Sequence, residues 1–464
     1  MRRRGKADGK RQTDFYFEIR VHYSAFLGRS PRKPTRSLAK LPTAGGRYPV
    51  SGTVLAAVMR LRWVGTVLLS AAAYYVYLPL PSAVSEPWKL MLLDALFRGF
   101  MHAGDVAHAL GVCHRVHLLN RVVSWVEVIE ARSCAAVGVS DSALGGVATR
   151  VFQPKGGNKT KRGVIYFHGG GWALGSGRMR SYDLLCRKMA EELDAVIMSV
   201  DYRLAPEAVF PDQYHDALAA SRAFLSARVL ERYSIDPERV CVSGDSAGGN
   251  LAAAVAQELG SDSNVTVKFK AQALIYPVLQ ALDFHTPSYQ QNQAVPILYR
   301  PVMARFWLQY LGADASLEPL LLANNHSSLD QPTIAAPTRS KLDWTALLPA
   351  KRKKHFRPVV KETGSPGLMG EVPGLMDVRA APLLAEQGVL GRTPKAYVMT
   401  CEFDVLRDDG LMYARRLQNA GVTVTSDHYE DGFHGCMVFA FLPVRSSVGQ
   451  RSMDNYIRWL DQNL

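Results

Sequence analysis

The chain has 464 residues, 48% of them hydrophobic, with 6 cysteines and a formal net charge of +14. That length accommodates one large core with a cap or two small domains, and cysteines this sparse, without Cys-x-x-Cys or His/Cys ligand spacing, argue against both a disulfide scaffold and a metal cluster. The charge is local: residues 1–62 hold 15 Lys and Arg against 3 Asp and Glu, leaving only +2 for the rest, which disfavours nucleic-acid binding by the folded part.

In chain order, residues 1–58 are rich in Arg, Lys, Ser, Pro and Gly, lack apolar periodicity, and read as a disordered basic extension. Residues 59–82 read as a single transmembrane signal anchor. The run 63–81 is uncharged and near the minimum length that spans a bilayer, with Arg60 and Arg62 on its N-terminal flank and Tyr74, Tyr75 and Tyr77 at its far end, where an aromatic belt meets headgroups. The positive-inside rule then leaves the N-terminus in the cytosol and the catalytic domain across the membrane. A cleaved signal peptide, with small residues at Ala71, Ala72 and Ala73, and a buried core helix are the competing readings. Residues 83–140 follow as a helical region whose apolar stretches between Trp88 and Val126 suit a cap over a site.

The expected catalytic domain occupies 141–464. Gly163–Phe167 reads as a strand that runs into His168-Gly169-Gly170-Gly171-Trp172, where glycines leave backbone N–H groups unshielded for an oxyanion; the Gly-Lys-Ser/Thr ending of a phosphate loop is absent. Val240–Val242 reads as a buried strand and 249–258 as a helix, and between them "VSGDSAGGN" puts Ser246 on a turn so sharp that side chains at Gly244 and Gly248 would collide. Cys241 is expected in the core. Ser246 is assigned as nucleophile and Gly169, Gly170 and the amide of Ala247 as oxyanion hole, with His168, Gly171, Gly244 and Gly248 in support. Between about 280 and 393 strand–helix alternation lapses, as in a cap insertion; Lys351-Arg352-Lys353-Lys354 within it reads as a solvated face. Lys395–Thr400 reads as a strand followed by "CEFDVLRDD". Asp404 lies in the loop and is the chosen acid, Asp408 and Asp409 suit the start of the next helix, and Glu402 is a weaker rival. After the strand-like 422–429, "EDGFHG" offers His434 as base, with His168 and His428 as rivals. The three fall in the order serine, acid, histidine that a strand-loop hydrolase requires. Hydrolysis by such a set needs no metal or organic cofactor.

"HGGGW", "GDSAGGN", "DYRLAP" and "DGFHG" resemble the hormone-sensitive-lipase branch of α/β-hydrolases, and within it the arylacetamide deacetylase group. Longer segments, "YYVYLPLPSAVSEPWKLMLLDALFRG", "QALIYPVLQALDFHTPSYQQN", "CEFDVLRDDG" and "YEDGFHGCMVF", resemble that group's membrane-anchored sterol-ester and ether-lipid hydrolases; the likeness covers about Met59 to Leu464. The resemblance implies an α/β-hydrolase fold, a mainly parallel sheet flanked by helices with a helical cap, preceded by one transmembrane helix. It implies a single-pass type II protein of the endoplasmic reticulum with a lumenal catalytic domain, acting on cholesteryl esters and 2-acetyl monoalkylglycerol ethers. The expected partners are a lipid ester and the bilayer through 63–81, with no nucleic acid; no signal for an oligomeric state is present. The sequons at Asn158, Asn264 and Asn325 would carry glycans in a lumenal domain, Asn325 matching a sequon of the family. Two other readings stand beside this one: a detoxifying aryl-amide and ester hydrolase, and a non-catalytic membrane protein on the same fold. An inert scaffold, however, has no physical reason to keep every reacting group together.

Overall fold

Helix α1 (Gly52–Val76) contains most of residues 59–82, the segment expected as an anchor, but begins earlier and ends sooner than the sequence reading places it. Leu78 and Leu80 each precede a proline, which disfavours helical backbone, so Tyr77–Pro81 leaves the helix. The computed structural model describes residues 52–331, 334, 336–365 and 367–464, so the greater part of the basic extension, residues 1–51, lies outside the described residues. Trp63, Leu68, Leu69 and Tyr74 are exposed. Among the described residues no helix is long and apolar enough to cross a membrane.

The unit from Val67 to Leu464 holds the remaining architecture. Helices α2 (Pro87–Ala109) and α3 (Arg115–Glu127) occupy the predicted helical region. Then come β1 (Val137–Leu144), β2 (Val147–Pro154), β3 (Lys161–Phe167), α4 (Arg180–Glu192), β4 (Ala195–Val200), α5 (Asp212–Phe224), α6 (Ala227–Arg232), β5 (Ile235–Asp245), α7 (Ala247–Ser261) and β6 (Ala271–Ile275). The insertion contributes short helices α8 (Pro287–Gln291), α9 (Arg300–Tyr310), α10 (Glu318–Leu322), α11 (Ala336–Ser340), α12 (Trp344–Leu347), α13 (Ala350–Lys353), α14 (Leu368–Glu371) and α15 (Gln387–Leu390). The chain closes with β7 (Lys395–Phe403), α16 (Arg407–Asn419), β8 (Val424–Phe433) and α17 (Ser447–Asn463).

The strands form one sheet in the order β1-β2-β4-β3-β5-β6-β7-β8. β1 and β2 are antiparallel to their neighbours, while every pairing from β4 through β8 is parallel. Parallel strands covered on both faces need no polar side, and β4, Ala-Val-Ile-Met-Ser-Val, is buried throughout. Successive side chains serve opposite cores. Ile165 and Phe167 join the cluster containing Ala217, Leu251 and Met412, from α5, α7 and α16, whereas Val164 and Tyr166 join Leu185, Tyr456 and Trp459, from α4 and α17. Small residues Ala252, Ala253 and Ala256 let α7 sink fully against the sheet; Cys241 is core, as expected. Successive parallel strands end along one edge, so the loops after β3, β5, β7 and β8 share it, which is what gathers the site.

Candidate active site

Ser246 occupies the joint between β5 and α7 with φ 54° and ψ −118°, a conformation that non-glycine residues seldom adopt. The flanking glycines are sterically required. A Cβ at Gly244 would stand 2.3 Å from the Gly248 carbonyl oxygen, and one at Gly248 would stand 2.0 Å from that of Phe167. The Ser246 N–H donates to Ile275 O at 2.8 Å, which pins the turn and leaves the hydroxyl to face the site.

Ser246 Oγ lies 2.9 Å from His434 Nε2, and His434 Nδ1 lies 2.8 Å from Asp404 Oδ2. A carboxylate only accepts, so Nδ1 carries the proton and Nε2 is left as acceptor for the serine hydroxyl. All three side chains are buried. The loop bearing Asp404 is held from within and from the end of α8: Asp404 Oδ1 accepts from Leu406 N at 2.8 Å, and Asn292 Nδ2 donates to the carbonyls of Glu402 and Asp404, both at 2.9 Å. The rivals are engaged elsewhere. Glu402 pairs with Arg352 and with Arg407 at 3.0 Å, His168 stacks on Tyr202 at 4.4 Å, and His428 lies on β8 against Thr400 and Arg352. Asp408 and Asp409 open α16 as expected, and their carboxylates also accept from Ser288 N and Leu279 N, tying the insertion to the sheet.

The oxyanion loop requires a correction. Gly169, assigned to the hole from sequence, donates its N–H to Tyr182 Oη at 2.9 Å and to Asp245 Oδ1 at 3.0 Å, so that donor is committed. Gly170 and Gly171, with φ of 115° and 60°, make no such bond among the described residues and line the cavity with Ser246 and His434. Ala247 opens α7, where first-turn N–H groups have no helical acceptor. The donors left free beside the cavity are therefore Gly170, Gly171 and Ala247, which makes Gly171 rather than Gly169 the candidate for the hole.

Sequence reasoning also passed over Asp245, the neighbour of Ser246. Its carboxylate accepts from Tyr166 and Tyr182 hydroxyls at 3.0 and 3.1 Å as well as from Gly169, and burial pushes its pKa up to about 6 despite those bonds. Its place inside the Gly-x-Ser-x-Gly motif was the available signal. Replacing Asp245 by Ala is expected to strand two buried donors, the Tyr166 and Tyr182 hydroxyls, at about 1–3 kcal/mol each, while Gly169 N–H keeps only Tyr182 Oη. The denaturation midpoint should fall sharply, and kcat should fall more than KM rises because the oxyanion loop loses one of its two tethers.

The basic run 351–354 is likewise not one solvated face. Arg352 turns inward to Glu402 and His428, its side chain only 10% exposed, while Lys351 stays exposed. Burial first, then Arg352, holds His428 down to about 4, and burial alone holds His326 down to about 4 on Ala281 O. Histidines depressed in the fold stabilise it above their unfolded pKa, about 6.5, and that stability is lost as pH falls toward the folded value. Thermal melts should therefore show a declining Tm between pH 6.5 and 4, with a shallower decline in His428→Gln.

The cavity over Ser246 measures about 210 Å³, and Phe97, Val123, Leu298, Phe306 and Phe439 supply apolar wall. Phe97 and Val123 come from α2 and α3, whose outer surfaces expose Trp88, Leu96 and Trp125. A larger cavity, about 370 Å³, lies among Leu282, Arg339 and Trp344 and includes none of the groups around Ser246.

A mainly parallel sheet carrying a serine on its strand–helix turn, backed by a histidine and an acid on later loops, defines the α/β-hydrolase class. The profile of the α/β hydrolase fold family matches residues 164–341 and 367–438. The chain is 53% identical over 401 residues to neutral cholesterol ester hydrolase 1 of Bos taurus, covering 86% of this chain and 98% of that one. It is 45% identical over 395 residues to arylacetamide deacetylase of Mus musculus, covering 84% and 96%. Among solved structures, a thermostable esterase from Pseudomonas putida ECU1011 superposes with a TM-score of 0.57 at 25% identity, covering 83% of this chain and 99% of the esterase. The chain belongs to the α/β-hydrolase family, in the group of the neutral cholesterol ester hydrolases and arylacetamide deacetylases, and is a carboxylic ester hydrolase.

Proposed function

We propose that this protein is a membrane-attached serine hydrolase that cleaves lipid esters, cholesteryl esters and 2-acetyl monoalkylglycerol ethers, through a Ser246–His434–Asp404 acyl-enzyme cycle. The observation that carries the reading is the unbroken hydrogen-bonded chain from Asp404 through His434 to Ser246. His434 Nε2 takes the hydroxyl proton as Ser246 Oγ attacks the ester carbonyl, and Asp404 stabilises the resulting imidazolium. Gly170, Gly171 and Ala247 donate to the oxyanion, a contribution of about 10²–10³ in rate per donor in comparable sites. The proton then passes from Nε2 to the departing alkoxide, and water, activated by the same nitrogen, releases the acid.

Membrane attachment is supported by the uncharged run 63–81 behind Arg60 and Arg62, and by the exposed apolar residues of α2 and α3, the helices that also wall the cavity. In this reading the N-terminus is cytosolic and the catalytic domain lies in the lumen of the endoplasmic reticulum. The sequons at Asn158 and Asn264 are exposed, while Asn325 is half-buried, so glycans are expected first at the former two. A small-acyl reading has its own support: the cavity is below the usual 300–1,000 Å³ of ligand sites, and identity to an arylacetamide deacetylase reaches 45%. Microsomes containing the wild-type chain or Ser246→Ala, assayed on a cholesteryl ester, an acetylated monoalkylglycerol ether and an aryl acetamide, decide between them. Serine-dependent turnover of either lipid is the expected result; cleavage of the acetamide alone overturns the lipid assignment.

A further inference from the structure

Cys401 and Cys436, 35 residues apart in the chain, meet in the interior with their sulfur atoms 3.7 Å apart. Both are fully buried, and neither sulfur belongs to the reacting set. Their positions are what make the meeting consequential: Cys401 lies on β7, three residues before Asp404, and Cys436 follows His434 by two residues. The backbone is shaped to bring them together. Cys401 pairs with Tyr429 across the β7–β8 ladder, which then shifts register so that Phe403 faces Phe433 and the chain turns back over the strand end. Gly432 makes room, since a Cβ there would stand 2.8 Å from Cys401 Sγ. On the other side the Cys436 carbonyl oxygen abuts Gly449 of α17, 2.1 Å from where a Cβ would lie, and its N–H donates to Phe433 O at 3.2 Å, so Cys436 is clamped at the backbone.

We propose that Cys401 and Cys436 are a disulfide-forming pair that ties the strand leading into Asp404 to the loop bearing His434. A disulfide has an S–S separation of about 2.05 Å, so the two side chains need approach by only about 1.7 Å from their observed contact. The chemistry is thiol–disulfide exchange. The two S–H groups give up two protons and two electrons as the Cys401–Cys436 bond forms, and an incoming disulfide of the glutathione or oxidoreductase type is reduced to two thiols. Burial pushes the Cys401 thiol well up from its ordinary range, which suppresses the thiolate that exchange requires. The bond is therefore made while the His434 loop is still open during folding, and once buried it resists reduction, as befits a structural tie.

The test uses the full chain, matured in microsomes with oxidised glutathione and extracted in detergent. Unfolding without reductant in N-ethylmaleimide, followed by digestion and mass spectrometry, should recover the Cys401 and Cys436 peptides as one cross-linked species that reductant separates. In Cys436→Ala the Cys401 peptide should carry the maleimide instead. Recovery of both wild-type peptides as maleimide adducts overturns the proposal, and needs no variant to fold. The tie is then read from inactivation at fixed temperature: prior reduction under mild denaturation should shorten the wild-type half-life several-fold and leave that of Cys436→Ala unchanged. Equal wild-type half-lives with and without the bond overturn its structural role. The linkage does not rest on the hydrolase reading, and fluorophosphonate labelling of Ser246 in each sample reports that reading separately.

Discussion

Substituting Ser246 by alanine is expected to lower kcat for ester hydrolysis by about 10⁶ while leaving the fold in place, the magnitude typical of a lost triad nucleophile. The substitution is structurally quiet. Among the described residues Ser246 Oγ bonds only His434 Nε2, and the backbone bond from Ser246 N to Ile275 O does not depend on the side chain. Alanine keeps a Cβ, so the turn at φ 54° is neither relieved nor worsened. Asp404→Asn should cost about 10⁴, because an amide in place of Oδ2 favours the tautomer that puts the proton on Nε2. Steady-state assays beside fluorophosphonate titration check both: Ser246→Ala should neither turn over nor label, and Asp404→Asn should label slowly. Retention of even a few per cent of activity in well-folded Ser246→Ala would remove the serine from the mechanism.

The second large effect concerns the oxyanion donors. Gly170→Ala is expected to reduce kcat/KM by at least about 10², the typical loss of one donor. A Cβ at Gly170 would lie 2.1 Å from the backbone oxygen of Leu174 at φ 115°, where an L side chain is strained whatever the space, so the loop itself must move. Gly171→Ala is strained as well, because its Cβ would meet Phe306 Cγ at 2.5 Å and φ 60° costs an L residue about 1–2 kcal/mol. It should likewise displace an N–H from the cavity. If these donors serve the transition state, affinity for a trifluoromethyl ketone should fall in step with kcat/KM while substrate KM changes little. A parallel rise in KM with constant kcat would place the glycine loop in substrate binding instead.

The reacting groups were legible because each is announced locally. Gly-x-Ser-x-Gly marks the turn within five residues, even though Gly248 is held to glycine by the neighbouring strand at Phe167, and Asp404 and His434 each sit on a loop directly after a strand. Glu402, the nearest rival to Asp404, is removed from contention by Arg352, His428 and Arg407, 50, 26 and 5 residues away. Asn292, which secures the Asp404 loop from the insertion, has no local signature at all.

By itself, then, the sequence determined the strand-turn-helix at Ser246 and the order of nucleophile, acid and base, since these depend on local backbone sterics and apolar periodicity, whereas the mainly parallel sheet was legible only through the family resemblance. Only the tertiary structure decided which glycine N–H groups remain free. Gly169 loses its own to Asp245, 76 residues further on, and to Tyr182, and Arg352 leaves solvent because Glu402 and His428 wait beneath it. The physical reason is the same in each case: a turn is shaped by its immediate neighbours, whereas a buried polar group must find its partner wherever packing brings one.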